Sequence, residues 1–326
     1  MLFATILIIG SISAVSFLAI SDGNFRNSKM QKEYDYMQKE YDTLRSKYYS
    51  LLGNLSNLET KYAYVLLQDP YYPPNPASTG QEEPDLSKYD ALQELYSDLK
   101  QDYDEFVSDY QEMRSGMERR LLRGNTRLFI TPEEPEVVSL TYNITGKMAN
   151  TTDPNSYWND IKSMYDWVND NIEYREDGLY PILPENPGDE LEHTDQMAQF
   201  PNETLSFKSG DCEDIAILLT SMVRAYFDSQ FTVECIWITG ETAGHVAVQI
   251  PFAGEKMVIL DPVRDYYSHD TFGNIALNAI SAELYNWMSI WRPSLGTDVH
   301  VYRLFSDYMD EYYLSNEEYL NWMYNR

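Results

Sequence analysis

Residues 206–226 read SFKSGDCEDIAILLTSMVRAY, and this stretch decides how the central part of the chain folds. Gly210 permits a sharp turn, and Asp211 followed three residues later by Asp214 is typical of a helix start. Five apolar residues at helical spacing predict one buried face, namely Ile215, Leu218, Leu219, Met222 and Tyr226. Cys212 is therefore expected in the first turn of an anchored helix.

The thiol of Cys212 is expected at the positive end of the helix dipole. This position lowers the pKa of a thiol and favours the reactive thiolate. Two alternatives stay open, because a single cysteine in a helix is more often an apolar core residue, and a disulfide with Cys235 would form in an oxidising compartment. Cys235 itself lies in the apolar run VECIWI and is expected in the core.

Three apolar runs follow the helix at residues 231–238, 244–250 and 256–260, and glycine or proline separates them. Each run predicts a β-strand. His245 begins the second run and Asp261 follows the third. In an antiparallel pair, these two residues would meet at the same end of the sheet.

A hairpin loop over residues 251–255 would fix how the second and third strands pair. Ile250 would then lie opposite Lys256, and His245 directly opposite Asp261. A shift of one residue would place the two side chains on opposite faces. A thiol, an imidazole and a carboxylate brought together in this way can act as a Cys-His-Asp set, in which histidine takes the thiol proton and aspartate orients the histidine.

The motifs GDCED (210–214), GHVAVQI (244–250) and ILDP (259–262) occur in this order along the chain. Their combination resembles the transglutaminase-like superfamily of papain-type thiol enzymes. The resemblance covers about residues 128–270. It implies an α+β catalytic domain in which the cysteine-bearing helix packs on an antiparallel sheet.

The resemblance also implies a role for each residue. Cys212 would be the nucleophile, His245 the general base and acid, and Asp261 the orienting acid, and the substrate would be an amide bond of a protein or peptide. Hydrolysis is the outcome in the bacterial transglutaminase-like cysteine peptidases, which this chain is similar to, and acyl transfer to an amine is the other outcome. The oxyanion donors would be the Cys212 backbone N–H and the Gln199 side chain. A non-catalytic binding module of the same fold is the alternative.

Composition restricts the partners and cofactors of the chain. The 24 Lys and Arg against 52 Asp and Glu give a formal charge of −28, which disfavours binding to nucleic acid. Two cysteines and four histidines make a thiolate-rich zinc site or a histidine-rich metal centre unexpected, so we predict no cofactor and no metal. The acidity is consistent with a salt-tolerant surface or with a cationic substrate.

The stretch Leu2 to Ile20 contains no charged side chain and is long enough to cross a bilayer. Residues 1–22 therefore predict a single-pass N-terminal membrane anchor, with a cleaved signal peptide as the alternative. Basic residues at positions 26, 29 and 32 favour a cytoplasmic domain. Four glycosylation sequons favour a domain outside the cytoplasm at the cell membrane, which is the orientation we expect: Asn54, Asn143, Asn150 and Asn202.

Apolar and aromatic residues alternate at spacings of three and four over residues 34–65 and again over residues 89–117. This is a heptad pattern, and a proline-rich connection separates its two halves. The pattern predicts an antiparallel α-helical hairpin, or coiled coil, over residues 28–122, and homodimerisation through the same helices is the alternative. The catalytic domain would then occupy residues 123–270, and a C-terminal helical extension over residues 271–326 would pack on it.

Overall fold

The computed structural model describes residues 23–68, 86–121, 126–147, 149, 154–194 and 196–326. The predicted membrane anchor lies outside these residues. Among the helices of the described ranges, none is both long enough and apolar enough to span a bilayer. The chain divides into two compact units, one of which contains Ser21–Glu118 with Leu179–Thr194, and the other Arg119–Gly178 with Asp195–Arg326.

Two long helices, α1 (Gly23–Gln68) and α2 (Leu86–Glu118), form the body of the first unit. Tyr48 of α1 lies beside Tyr103 of α2, with ring centroids 6.1 Å apart. Further along α1, Glu59 accepts a hydrogen bond from Tyr96. Residue numbers therefore increase along α1 where they decrease along α2. The helices therefore pack antiparallel, as the heptad pattern predicts.

Residues 179–194 belong to this helical unit, although the sequence predicts them within a catalytic domain over residues 123–270. They form a small hairpin of strands β2 (Tyr180–Ile182) and β3 (Glu192–Thr194). Between the strands, the backbone carbonyls have no ladder partner, and helix side chains supply the donors that such carbonyls require. The donors are Tyr41, Arg45, Tyr49, Tyr110, Gln111 and Arg114, and the acceptors are carbonyls of residues 183–189.

The second unit mixes helices and strands, which confirms the α+β class. Its first half contains α3 (Pro135–Thr145), α4 (Pro154–Asn171), β1 (Glu173–Tyr174), α5 (Pro201–Phe207), β4 (Ser209–Gly210) and α6 (Cys212–Tyr226). Its second half contains β5 (Glu234–Thr239), β6 (Gly244–Phe252), β7 (Lys256–Asp261), β8 (Tyr266–Tyr267), β9 (Asn278–Ala279), α7 (Ile280–Leu295), β10 (His300–Phe305), β11 (Asp310–Tyr312) and α8 (Asn316–Asn325).

A seven-stranded sheet runs through this unit in the order β11-β10-β5-β6-β7-β8, and β9 pairs with β7. The strands pair antiparallel throughout. Alternate side chains point to opposite faces. On one face, Val246, Val248 and Val258 pack with helices α3, α4 and α6. On the other face, Ile236 and Met257 pack with the C-terminal helices α7 and α8.

The β6–β7 hairpin differs from the predicted register by two residues. Phe252 pairs with Lys256, and the ladder continues to Val248 opposite Leu260. The loop is three residues long instead of five because β6 continues through Pro251, and Gly254 turns the chain with a positive φ of 79°. Pro251 is tolerated because it lies beyond the end of β5, where one side of β6 needs no donor.

Candidate active site

The start of α6 fixes the position of Cys212. Asp211 and Asp214 form the predicted capping box, in which the Asp211 backbone N–H donates to Asp214 Oδ2 at 3.3 Å. Gly210 is required at this turn because a Cβ on it would lie 2.5 Å from the Asp214 Cβ. Cys212 is therefore the first residue of a helix whose body is buried, as the sequence predicts.

His245 and Asp261 form a buried pair. The imidazole Nε2 lies 2.9 Å from Asp261 Oδ2, and both side chains are almost completely inaccessible to solvent. The predicted direct opposition is wrong, because the observed ladder places Asp261 opposite Ala247 when it is continued by one residue. The two-residue shift keeps His245 and Asp261 on one face, and diagonal neighbours lie within reach of long side chains.

Two tryptophans of α7 complete the surroundings of Asp261. The indole N–H groups of Trp287 and Trp291 each donate to Asp261 Oδ2 at 2.8 Å. Burial acts to raise the pKa of Asp261, but the attraction of His245 and the hydrogen bonds from His245 and the two indoles hold this pKa below its ordinary value. The carboxylate is thus kept charged inside the protein. Its other oxygen, Oδ1, is buried and has no hydrogen-bond partner among the residues that the structure describes.

The thiol of Cys212 contacts Glu213 and the start of β6. It donates to Glu213 Oε2 at 3.2 Å, and the backbone of Val246, the residue after His245, hydrogen-bonds to it. The ladder with β7 ends at Val248, so β6 has no partner strand at Val246 on that side. The thiol therefore lies beside the backbone of the residue that follows the proposed base. Within the described residues, no hydrogen bond joins it to the imidazole itself.

The electrostatics of this thiol differ from the sequence prediction. Burial, followed by the charges of Glu213 and Asp211, raises the pKa of Cys212 well above its ordinary value. The helix dipole is outweighed because the thiol is buried and because two carboxylates flank it. Cys212 and Cys235 are both free, which excludes the disulfide alternative, and Cys235 is fully buried against Thr220, as predicted.

Three carboxylates gather next to the thiol: oxygens of Asp177, Asp211 and Glu213 lie within 4.8 Å of one another. Burial and the neighbouring charges raise the pKa of Asp211 to about 9 and that of Glu213 to about 7. Carboxylates are ligands that calcium prefers, so this cluster could hold a divalent cation. Asp177 was not predicted from the sequence, and the acids on both sides of Cys212 are the signal that could have revealed the cluster.

Gln199 lies close to the start of α6. Its backbone N–H donates to Asp214 Oδ1 at 2.7 Å, which ties the segment before α5 to the cap of the cysteine helix. The side-chain amide oxygen is buried without a hydrogen-bond partner. A buried acceptor without a partner requires an explanation, and a polar group of a bound substrate that donates to it is one.

Tyr174 was not singled out from the sequence. Strand β1 pairs with β4, which places Tyr174 opposite Gly210, two residues before Cys212. Burial raises the pKa of the Tyr174 phenol, and the nearby Cys212 and Asp211 raise it further. About half of the side chain, 47%, is exposed. Tyr174 thus presents an aromatic surface to solvent beside the thiol.

Comparison with known families is consistent with this geometry. Residues 141–279 match a family model described as a transglutaminase-like domain. These residues are similar to that family. The match includes the three residues that the sequence assigned to catalysis, and it ends one residue before α7, so the two tryptophans that contact Asp261 lie beyond it.

Among solved structures, the chain is similar to LapG of Legionella pneumophila, with 16% identity and a TM-score of 0.31 over 60% of this chain and 98% of that chain. A calcium-bound form of LapG gives 16% identity and a TM-score of 0.29, over 58% and 98% of the two chains. An EGTA-treated form gives 17% identity and a TM-score of 0.28, over 54% and 82%. No curated protein sequence matches the chain.

Proposed function

We propose that the transglutaminase-like domain is a thiol enzyme that cleaves or transfers amide bonds of a protein or peptide through a thioester at Cys212. The observation that carries the proposal is the buried His245–Asp261 pair, with Nε2 and Oδ2 2.9 Å apart, next to a thiol bound by the backbone of Val246. An aspartate that holds one nitrogen of the imidazole leaves the other nitrogen available for proton transfer with a nucleophile.

The proposed reaction begins when the imidazole of His245 takes the proton of the Cys212 thiol. The sulfur attacks the amide carbonyl, and the negative charge develops on the carbonyl oxygen. The protonated imidazole then gives its proton to the leaving amine, and a thioester remains on Cys212. Water would resolve the thioester by hydrolysis, and a lysine amine would resolve it by crosslinking.

The developing oxyanion requires preorganised donors. The backbone N–H of Cys212 is one, since it lies at the first position of α6 and needs no partner within the helix. The side-chain NH2 of Gln199 is the second in our proposal, because the hydrogen bond from the Gln199 backbone N–H to Asp214 fixes this residue beside the cap of the cysteine helix.

The resting thiol is held by Glu213 rather than by the imidazole. This arrangement does not oppose the proposal, because catalytic hydrogen bonds are often absent before substrate binds and form in the complex. The proposal requires that substrate displace Glu213 from the thiol and that the imidazole of His245 turn toward the sulfur to accept the proton.

A cationic peptide is the substrate class that the surroundings favour. The chain has a formal charge of −28, and Tyr174 offers an exposed aromatic face beside the thiol. Positively charged side chains are attracted to carboxylates and to aromatic faces.

Membrane anchorage through residues 1–22, an extracytoplasmic location and dimerisation through the helices stay proposals from the sequence.

The test uses the chain as a purified protein together with Cys212→Ala and, as the matched control, Cys235→Ala. We expect iodoacetamide to label Cys212 in the folded protein, and we expect peptide hydrolysis or amine incorporation that Cys212→Ala abolishes and Cys235→Ala retains. Wild-type protein with no labelling of Cys212 and neither activity on a library of Lys- and Arg-containing peptides would contradict the proposal and favour the binding module.

A further inference from the structure

Helix α7 lies outside the family match, yet it donates two hydrogen bonds to Asp261, whereas His245 contributes one. Trp287 and Trp291 are four residues apart and therefore lie on the same face of the helix. Both indole N–H groups reach the same oxygen, Oδ2, at 2.8 Å, and this oxygen is also 2.9 Å from the imidazole. Three donors thus converge on one atom.

The second observation concerns the imidazole itself. The ring of Trp291 stacks on the ring of His245, with centroids 3.6 Å apart and planes inclined by 24°. Trp287 also lies near the imidazole, with ring centroids 6.1 Å apart. The rotation of the imidazole is therefore restricted by a bond at Nε2 and by an aromatic surface on its face.

From these contacts we infer that Trp287 and Trp291 are positioning residues of the site, which fix the orientation of the Asp261 carboxylate and, through it, of the His245 ring. The inference rests on the proposed function. It extends the catalytic unit to the helix 280–295, beyond the residues that match the family.

The physical reason is that the carboxylate has few other constraints. Within the described residues, Oδ1 of Asp261 is buried without a partner, so the hydrogen bonds to Oδ2 set how the carboxylate is rotated. A hydrogen bond between an ionised group and an N–H donor is about twice as strong as a neutral one, and burial strengthens it further. Trp287 and Trp291 are themselves almost completely buried, so water does not compete for the same oxygen.

Other titratable and charged groups also face the pair. The Tyr165 hydroxyl of α4 lies 3.5 Å from the backbone carbonyl of Asp261, and Tyr266 of β8 lies close enough to sense its charge. The guanidinium of Arg264 lies 4.6 Å from the ring of Trp291. None of these groups donates to Oδ2, so the two indoles are the contacts to change.

The variants are Trp287→Phe and Trp291→Phe, which keep an aromatic ring and remove the N–H donor. Trp322→Phe is the matched control, because Trp322 packs in the same core on the same face of the sheet, and the hydrogen bonds to Asp261 Oδ2 in the described part of the chain come from other residues. We expect each site variant to lower kcat roughly 10–100-fold with KM unchanged, since removal of a group that orients a functional ligand has effects of this size. We expect Trp322→Phe to behave as wild type.

A spectroscopic readout separates this inference from the proposed function. The proton on His245 Nε2, bonded to Asp261, should give a low-field NMR resonance that moves or broadens in Trp287→Phe and Trp291→Phe and stays in place in Trp322→Phe. In Asp261→Asn, the indole resonances of Trp287 and Trp291 should shift, and that of Trp322 should not. These signals do not require turnover, so they decide the inference even if the protein proves inactive on every peptide.

An unchanged low-field resonance in both folded site variants would overturn the inference, and so would turnover equal to that of Trp322→Phe. If Trp287→Phe fails to fold because of its lost volume, Trp291→Phe decides alone, with circular dichroism as the check on folding.

Discussion

His245 and Asp261 are diagonal neighbours on adjacent strands, and their side chains meet across an offset of two residues. The pair is sealed from solvent, and the Asp261 carboxylate receives donors only at one of its two oxygens within the described residues. Because this carboxylate is charged inside the protein, its environment must stabilise it more in the folded state than in the unfolded state. This property can be measured.

The first prediction concerns stability against pH. The pKa of Asp261 is lowered in the folded protein, so its contribution to stability is fully present above the ordinary Asp pKa of about 3.9 and is lost as pH falls through the folded value. Urea unfolding of wild type and Asp261→Asn should therefore give a difference in stability that is constant near neutral pH and shrinks below about pH 4. A difference that stays the same down to pH 2.5 would contradict the depressed pKa.

The second prediction concerns the turn before the cysteine. Gly210→Ala should lower the free energy of unfolding by about 1–3 kcal/mol, because its Cβ would lie 2.5 Å from the Asp214 Cβ and 2.7 Å from Asp214 Oδ2. The matched control is Gly53→Ala, which meets nothing within 4 Å in the middle of α1 and should stabilise the protein by about 1 kcal/mol. Thermal unfolding measures both, and opposite signs are expected.

The third prediction concerns the three carboxylates beside the thiol. Calcium should raise the melting temperature of the wild type and EDTA should reverse the effect, because a bound cation relieves the repulsion between the carboxylates. Calcium at one hundred times its dissociation constant would stabilise the protein by about 2.7 kcal/mol. Asp177→Asn should reduce the shift, whereas Asp170→Asn, at an exposed acid of α4, should not. Equal shifts in both variants would contradict a site at Asp177.

The fourth prediction concerns the helical unit. The buried hydroxyl of Tyr110 donates to the carbonyl of Pro184 at 2.8 Å, so Tyr110→Phe leaves that carbonyl without a donor and costs about 1–3 kcal/mol locally. Amide hydrogen exchange over residues 183–189 should become faster. Tyr142→Phe is the control, because this tyrosine is mostly exposed in the other unit. Exchange that is unchanged in Tyr110→Phe would show that the loop is held by its other contacts.

Much of the fold could be predicted from local patterns. The α4 face formed by Ile161, Met164, Tyr165 and Val168 is fully buried, as its spacing indicates, and the heptads of α1 and α2 meet antiparallel. Periodicity reports the environment of a helix directly, because each apolar position needs a partner. The α6 start was equally clear, since capping chemistry lies within four residues.

The features that could not be predicted depend on contacts between residues distant in sequence, or on how completely the surrounding structure buries a group. The β6–β7 register depends on whether β6 continues through Pro251, and this is decided by where β5 ends. The raised pKa of Cys212 depends on how completely the thiol and its flanking acids are buried, and the dipole argument cannot report that. The contribution of Trp291 was hidden because an aromatic residue at helical spacing looks the same whether it fills a core or holds a carboxylate.

The small hairpin at residues 179–194 has a consequence for anyone who wishes to produce the second compact unit alone. The chain passes between the two compact units after residues 118, 178 and 194, so a single cut near Glu118 would leave residues 179–194 without the helix side chains that bind their carbonyls. Strands β2 and β3 pair Tyr180 with Thr194, so the two ends of the segment 179–194 lie next to each other. A short glycine-rich linker from residue 178 to residue 195 could therefore replace this segment without displacing the site residues on either side of it.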